Sequence, residues 1–169
     1  WDSRFEFLQK LIQGNIDILV LTETKLDESF PTQQFKMDGY TIPFRLDRNK
    51  NGGGIFVYVR EDIPCRELKF NLSHSHIEGI FLEINLRKTK WLVFGGYNLH
   101  KTNIENFLRT LGPILDHHMI NLENLLLLGD FNSEVNEPIL KEFCDNYNLK
   151  NLVLGPTCFK NLEKPSKID

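Results

Sequence analysis

Two carboxylates stand where apolar runs end. Glu23 closes the run of residues 16–23, "IDILVLTE", and Asp130 follows "LLLLG", residues 125–129, with Asn132 two positions further on. Short, nearly continuous apolar runs read as strands covered on both faces, and the carboxyl ends of such strands are where sites assemble in α/β folds. If the two strands share a sheet, the acids converge. Two carboxylates ~4 Å apart repel by about 4 kcal/mol at an effective dielectric of ~20, and a divalent cation reverses that sign. Ligation by carboxylates, a carboxamide and waters suits magnesium, which is usually held by one or two carboxylates plus a substrate phosphate. Asn132 can accept from or donate to a phosphate or an attacking water without adding charge. The plainer reading is a polar turn that ends a strand, and a lone "GDFN" leaves the two readings evenly weighted.

The elements that position these residues follow from periodicity. Ser3 and Glu6 form a capping box, and Phe5, Leu8, Leu11 and Ile12 recur at helical spacing until Gly14. Residues 40–46, 55–60, 77–85 and 91–97 are rich in β-branched and aromatic side chains and are separated by turn signals. With no helix between them, these four strands imply antiparallel pairing. Thr102 and Glu105 suggest a second capping box before the stripe Ile104, Phe107, Leu108, Leu111 and Leu115, with Pro113 expected to kink or break that helix. Pro138 marks a third helix start, and residues 151–159 return to extended structure. Helices and strands in this order predict one α/β domain over residues 1–169, a two-sheet sandwich flanked by helices.

Length and composition bound the function. A chain of 169 residues can bury roughly 70% of the surface it exposes when unfolded, enough for a core. No apolar run approaches the ~20 residues that cross a bilayer, so no membrane partner is expected. The formal charge of -3 and pI near 6.0 supply no broad basic field, so a nucleic-acid contact must rest on local Lys and Arg or on metal ions. The loop "RLDRNKN" (45–51), with Arg87, Lys88 and Lys90, offers candidates for phosphate contact. Cys65, Cys144 and Cys158 lack any CxxC pair, which points to reduced intracellular thiols and away from structural zinc. Gly52-Gly53-Gly54 lacks the P-loop Lys-Ser/Thr and reads as a turn entering a strand. The start on Trp1 without Met and the close on "KPSKID", which reads as a strand beginning, suggest a fragment incomplete at both ends.

Taken in order, "DILVLTETKLD", "GGGIFVYVRE", a strand ending in Tyr97, "LLLLGDFN", and "PTCF" before "PSKID" resemble the endonuclease/exonuclease/phosphatase family. The resemblance spans nearly the whole chain and is strongest to the endonuclease domain of LINE-type (non-LTR) retrotransposons. It implies a DNase I-like two-sheet sandwich and Mg2+-dependent hydrolysis of a phosphodiester, with Mn2+ as the alternative metal. By the same resemblance Glu23 is the principal metal ligand and Tyr97 the phenol that contacts the scissile phosphate. Asp130 orients or deprotonates the attacking water, and Asn132 holds the phosphate oxygens. Ser166 matches the serine of the family's "SxID" stretch, and Asp169 the acid that supports the catalytic histidine. The implied substrate is DNA, and the implied parent acts in the nucleus and carries a reverse transcriptase domain.

The sequence departs from that family in two places. The family's first-strand asparagine falls upstream of Trp1 and its catalytic histidine beyond Asp169; His74, His76, His100, His117 and His118 do not stand in that context and read as solvated or locally bonded. After Tyr97, Asn98-Leu99-His100 replace the usual prolines. The competing expectations are therefore an abasic-site endonuclease or phosphatase with the same metal chemistry, and a catalytically inactive fragment. Neither the DNA target site nor the oligomeric state is encoded in these motifs.

Overall fold

The computed structural model describes residues 2–12, 16–70, 77–99, 103–120, 122–134 and 137–153. Helix α1 (Asp2–Ile12) leads into β1 (Ile18–Thr22). A single 3-10 turn (Thr32–Phe35) precedes β2 (Phe44–Leu46), and then come β3 (Ile55–Val59), β4 (Cys65–Leu68), β5 (Ile77–Leu86) and β6 (Thr89–Asn98). Helix α2 (Ile104–Met119), strand β7 (Asn124–Asp130) and helix α3 (Pro138–Asn146) complete the order. Among the described residues the strands form a three-stranded sheet, β1-β3-β2, and a four-stranded sheet, β4-β5-β6-β7. All pairs are antiparallel except β6 with β7, which run parallel through the α2 crossover.

Strand alternation explains why the apolar runs are so dense. In β3, Ile55, Val57 and Val59 face the second sheet, while Phe56 and Tyr58 face the layer of α1 and the loop around Phe35 and Met37. In β5 and β6, Ile80, Leu82, Ile84, Val93 and Tyr97 face the first sheet, whereas Phe81, Leu92 and Phe94 pack under α2 and α3. The leucines of β7 divide likewise, Leu126 and Leu128 inward, Leu125 and Leu127 toward the helices. The runs of β1, β3, β5, β6 and β7 are thus largely apolar on both faces because each sheet is covered on both faces. The result is four layers in the order helix, sheet, sheet, helices, as the sequence predicts.

Several boundaries differ from the sequence reading. The stretch 40–46 yields only the three residues of β2; Pro43 has no N–H to give a ladder, and Tyr40 instead makes an isolated bridge with Arg60. "CREL", the short edge strand β4, carried no apolar signal and was not anticipated. Asn103, not Thr102, caps α2: its side chain accepts from the Glu105 N–H at 3.0 Å. The helix runs through Pro113 without a break. The Tyr147 hydroxyl, just past α3, lies 2.9 Å from the Gly112 carbonyl and 2.7 Å from Asp116 Oδ1, tying the turns beside Pro113 to α3. Residues 151–153 have no regular structure, and 154–159, like Gly14 and Thr102, lie outside the described residues. Most important for the site, β1 and β7 do not share a sheet. The two acids approach across the sandwich, not along one sheet.

Candidate active site

One end of the sandwich collects the carboxyl ends of β1, β6 and β7. The parallel register sets Tyr97 beside Asp130 on neighbouring strands. Tyr97 is 1% exposed and points inward, and its hydroxyl crosses the gap between sheets to donate to Glu23 Oε1 at 2.7 Å. This hydrogen bond joins the residue just after β1 to the last residues of β6. Burial first, then the hydrogen bond to Glu23 and its charge, then the charge of Asp130, push the Tyr97 phenol far above the ordinary tyrosine range, with the Asn132 side chain acting the other way. At neutral pH Tyr97 is a protonated donor. It is not a base.

Glu23 sits in the left-handed region at φ 53°, as does Lys25 at φ 54°. Such a conformation is uncommon outside glycine and persists only where neighbouring structure holds it. The holding contacts are backbone bonds to the glycine turn before β3: the Thr24 N–H donates to the Gly54 carbonyl at 3.3 Å and the Lys25 N–H to the Gly53 carbonyl at 2.9 Å. The Lys25 ammonium stands 3.7 Å from Glu23 Oε2. Beyond β7, Asp130 Oδ1 accepts the Asn132 N–H at 2.9 Å, a local turn that leaves Asn132 at φ 47°. The Asn132 Nδ2 then donates to the Asn98 carbonyl at 2.6 Å, and the Asn98 Nδ2 donates to the Phe131 carbonyl at 2.9 Å. Asn98 is fully buried and locks the end of β6 to the loop after β7. "GDFN" is a polar turn, and the turn aims Asn132 at the end of β6, beside Tyr97.

Of the residues singled out by sequence, Glu23, Tyr97, Asp130 and Asn132 come together at this end. Ser166 and Asp169 lie outside the described residues, as do His74, His76 and His100. His117 and His118 occupy the last turn of α2. His118 lines a groove with Lys90 and Glu83 where β6 begins, at the opposite end of that strand from Tyr97. The basic loop 45–51 is committed internally: Arg45 pairs with Asp47 at 2.7 Å, Arg48 with Glu78 at 3.1 Å and Lys50 with Asp27 at 3.4 Å. These pairs leave that loop less suited to phosphate than its composition suggested. Asn98 was passed over as a site residue. Its only sequence signal was the repeated pattern of an aromatic followed by Asn, "YN" and "FN", at two strand ends.

The donors fit a hard cation. Glu23 and Asp130 could supply carboxylate oxygens and Asn132 a carboxamide oxygen, while the Tyr97 phenol holds Glu23 in place, as an outer partner of a ligand does. Among the described residues no three His, Cys, Asp or Glu side chains converge, so this set suits an ion held by one or two carboxylates that keeps its waters.

The sequence matches no protein-family model and no curated protein. Solved structures do match. The endonuclease domain of TRAS1, a telomere-specific non-LTR retrotransposon, superposes with a TM-score of 0.69 at 14% identity, over 98% of this chain and 75% of that one. The chain has the endonuclease/exonuclease/phosphatase fold. An endonuclease/exonuclease/phosphatase family protein from Bacteroides thetaiotaomicron matches with a TM-score of 0.65 at 16% identity, over 86% of this chain. The 3' phosphatase NExo from Neisseria, bound to a product DNA hairpin, matches at 0.56 and 19%, also over 86%. The chain spans 61% and 65% of the lengths of those two proteins. At such identities the likeness is one of fold, and in this fold Glu23, Tyr97, Asp130 and Asn132 stand at strand ends that face one another across the two sheets.

Proposed function

We propose that this domain is a divalent-metal-dependent phosphodiesterase that nicks DNA, of the kind found in non-LTR retrotransposons. The observation that carries the reading is the hydrogen bond from Tyr97 to Glu23, made beside Asp130 and Asn132 at one end of the sandwich. Its support is the fold shared with the TRAS1 endonuclease domain and with a DNA-bound 3' phosphatase.

Glu23, with water, would hold Mg2+ or Mn2+, which when bound supplies positive charge against the phosphate oxygens. The residues of the chain do the rest. Tyr97, kept protonated, donates its one O–H proton to Glu23 in the free site and would turn it to a phosphate oxygen when substrate enters. Asn132, fixed to the Asn98 carbonyl, presents its carboxamide to the same group without adding charge. Asp130 accepts a proton from the attacking water and aligns it with phosphorus. The water oxygen bonds to phosphorus as the bond to the departing 3' oxygen breaks; that oxygen takes up a proton from solvent, to which Asp130 returns its own, and leaves the 3' hydroxyl from which a reverse transcriptase in the same parent could extend. By the resemblance, Asp169 would steady a histidine in its working tautomer and Ser166 would be the serine of the same motif, and the parent element would act in the nucleus.

The test is conversion of supercoiled plasmid to open circle in Mg2+, with EDTA and Asp130→Ala as controls. Nicking that needs the metal and is lost in Asp130→Ala supports the reading; absence of nicking in the parent overturns it. A second reading keeps the site and changes the substrate to an abasic site or a 3' phosphate, in line with the Neisseria likeness. Duplexes carrying each lesion, assayed beside intact plasmid, separate the two.

A further inference from the structure

The glycine turn before β3 has a use beyond entering a strand. Gly52, Gly53 and Gly54 form a cradle whose open faces are filled by other residues. A β-carbon on Gly53 would lie 2.3 Å from Arg48 Nε and 2.6 Å from Glu78 Oε1, and one on Gly54 would lie 2.3 Å from Thr24 Oγ1. Gly53 and Gly54 both take positive φ, 70° and 91°. The guanidinium of Arg48 donates from Nε to the Gly52 carbonyl at 2.9 Å, and its Nη1 stands 3.1 Å from Glu78 Oε1. The other oxygen, Oε2, accepts the Gly54 N–H at 2.8 Å. Glu78 is 9% exposed, an acid otherwise out of place in the apolar strand "IEGIFLEI". It is the register partner of Tyr97, on the same inner face.

We propose that Glu78 is a positioning residue for the Glu23 carboxylate: with Arg48 it clamps the Gly52–Gly54 turn, and the turn holds the left-handed backbone from which Glu23 reaches Tyr97. The contacts close a ring. Glu78 on β5 grips the turn before β3, the carbonyls of Gly53 and Gly54 grip the N–H groups of Lys25 and Thr24, Glu23 meets the Tyr97 hydroxyl on β6, and β6 is hydrogen-bonded back to β5. Every member belongs to one of the two sheets or a turn between their strands, so the ring fixes the site against sliding of one sheet over the other. The inference deepens the proposed nicking reaction and rests on it only for the effect on rate.

The experiment labels tyrosine with 13C at Cζ and follows the Tyr97 resonance, identified by its loss in Tyr97→Phe. Glu78→Ala and Arg48→Met are expected to move that resonance while Tyr147, remote from the ring, stays in place. Glu78→Gln removes the charge but keeps an acceptor for the Gly54 N–H, and is expected to restore most of the parent position. In a Glu23→Ala background, Glu78→Ala should move Tyr97 far less than it does in the parent. In nicking assays Glu78→Ala should lower kcat by about 10²-fold, the cost of a ~1 Å misplacement, with KM for DNA unchanged, and Glu78→Gln should recover most of it. If Glu78→Ala does not fold, Arg48→Met, at a partly exposed side chain, carries the test. The proposal is overturned if Arg48→Met leaves Tyr97 unmoved, or if Glu78→Gln is as damaging as Glu78→Ala. If the parent does not nick, the proposed reaction fails while the resonance still decides the clamp.

Discussion

Tyr97→Phe removes one oxygen atom from the site and leaves the ring that fills the core. The lost contact is a 2.7 Å hydrogen bond to a carboxylate, of a class that contributes about 1.5–3 kcal/mol net. Two outcomes with different sizes follow. The Glu23 side chain is about a third exposed, so water can replace the phenol in the folded protein, and the stability cost should stay below about 1 kcal/mol, a fall in Tm of less than about 4 °C. Water cannot reproduce the orientation of Glu23 or, in the proposed reaction, the donor that would turn to phosphate. If the whole interaction is realised in the transition state, about 1.5–3 kcal/mol corresponds to a loss of about 10- to 150-fold in kcat/KM. The assay is the initial rate of plasmid nicking against DNA concentration, beside a thermal melt of the same sample. A variant that melts like the parent and nicks at the parent rate would show that the bond joining the two sheets does no catalytic work, and the assignment of Tyr97 would fall with it.

Other substitutions probe the frame. Phe94→Ala removes a fully buried ring tilted against Phe81 and Phe107 under α2 and should cost about 3–5 kcal/mol, read as a lower denaturant midpoint with little change in slope. Gly129→Ala places a β-carbon 1.8 Å from the Gly96 carbonyl oxygen at φ 136°, so a loss of about 3 kcal/mol or more is expected from chemical denaturation, and a Tm equal to the parent's would contradict the β6–β7 register. Alkaline titration followed at 295 nm should show Tyr147 ionising late, its phenol pushed up to about 12 by burial and by the neighbouring Asp116 carboxylate. Because the folded value lies above the ordinary value near 10, this phenol's contribution to stability is fully present below pH ~10 and is lost as pH rises toward about 12. Tyr147→Phe should flatten the alkaline fall in stability over that window.

The apolar strands and the two acids at their ends were legible because burial on both faces writes a dense run into the sequence and a carboxylate interrupts it abruptly. Which sheet each strand joins was not. Five residues of β1 carry no record of their partner, and only the three-dimensional pairing with β3 shows that Glu23 and Asp130 belong to different sheets. Asn98 and Glu78 escaped for a related reason: each acts through one or two hydrogen bonds to backbone far along the chain, and such bonds require no local pattern. The cap on α2 was misplaced by one residue because Thr102 and Asn103 are both good caps and only geometry chooses between them. Pro113 was expected to kink or break α2 because a proline removes a helical hydrogen bond, yet the helix continues through it, and the Tyr147 latch to Gly112 comes from thirty-five residues along the chain.

The first sheet is drawn wholly from residues 18–59 and the second from residues 65–130. Glu23 therefore comes from one contiguous half of the chain, and Tyr97, Asp130 and Asn132 from the other. Each half can form its own antiparallel pairings locally, but the bond between Glu23 and Tyr97 spans seventy-four residues and forms only once the halves dock. Expressed as two polypeptides divided between Val59 and Cys65, the molecule would hold no complete site in either piece. Under the proposed function, any nicking regained on mixing would then count reassembled sandwiches, which makes this fold a natural split reporter of its own assembly.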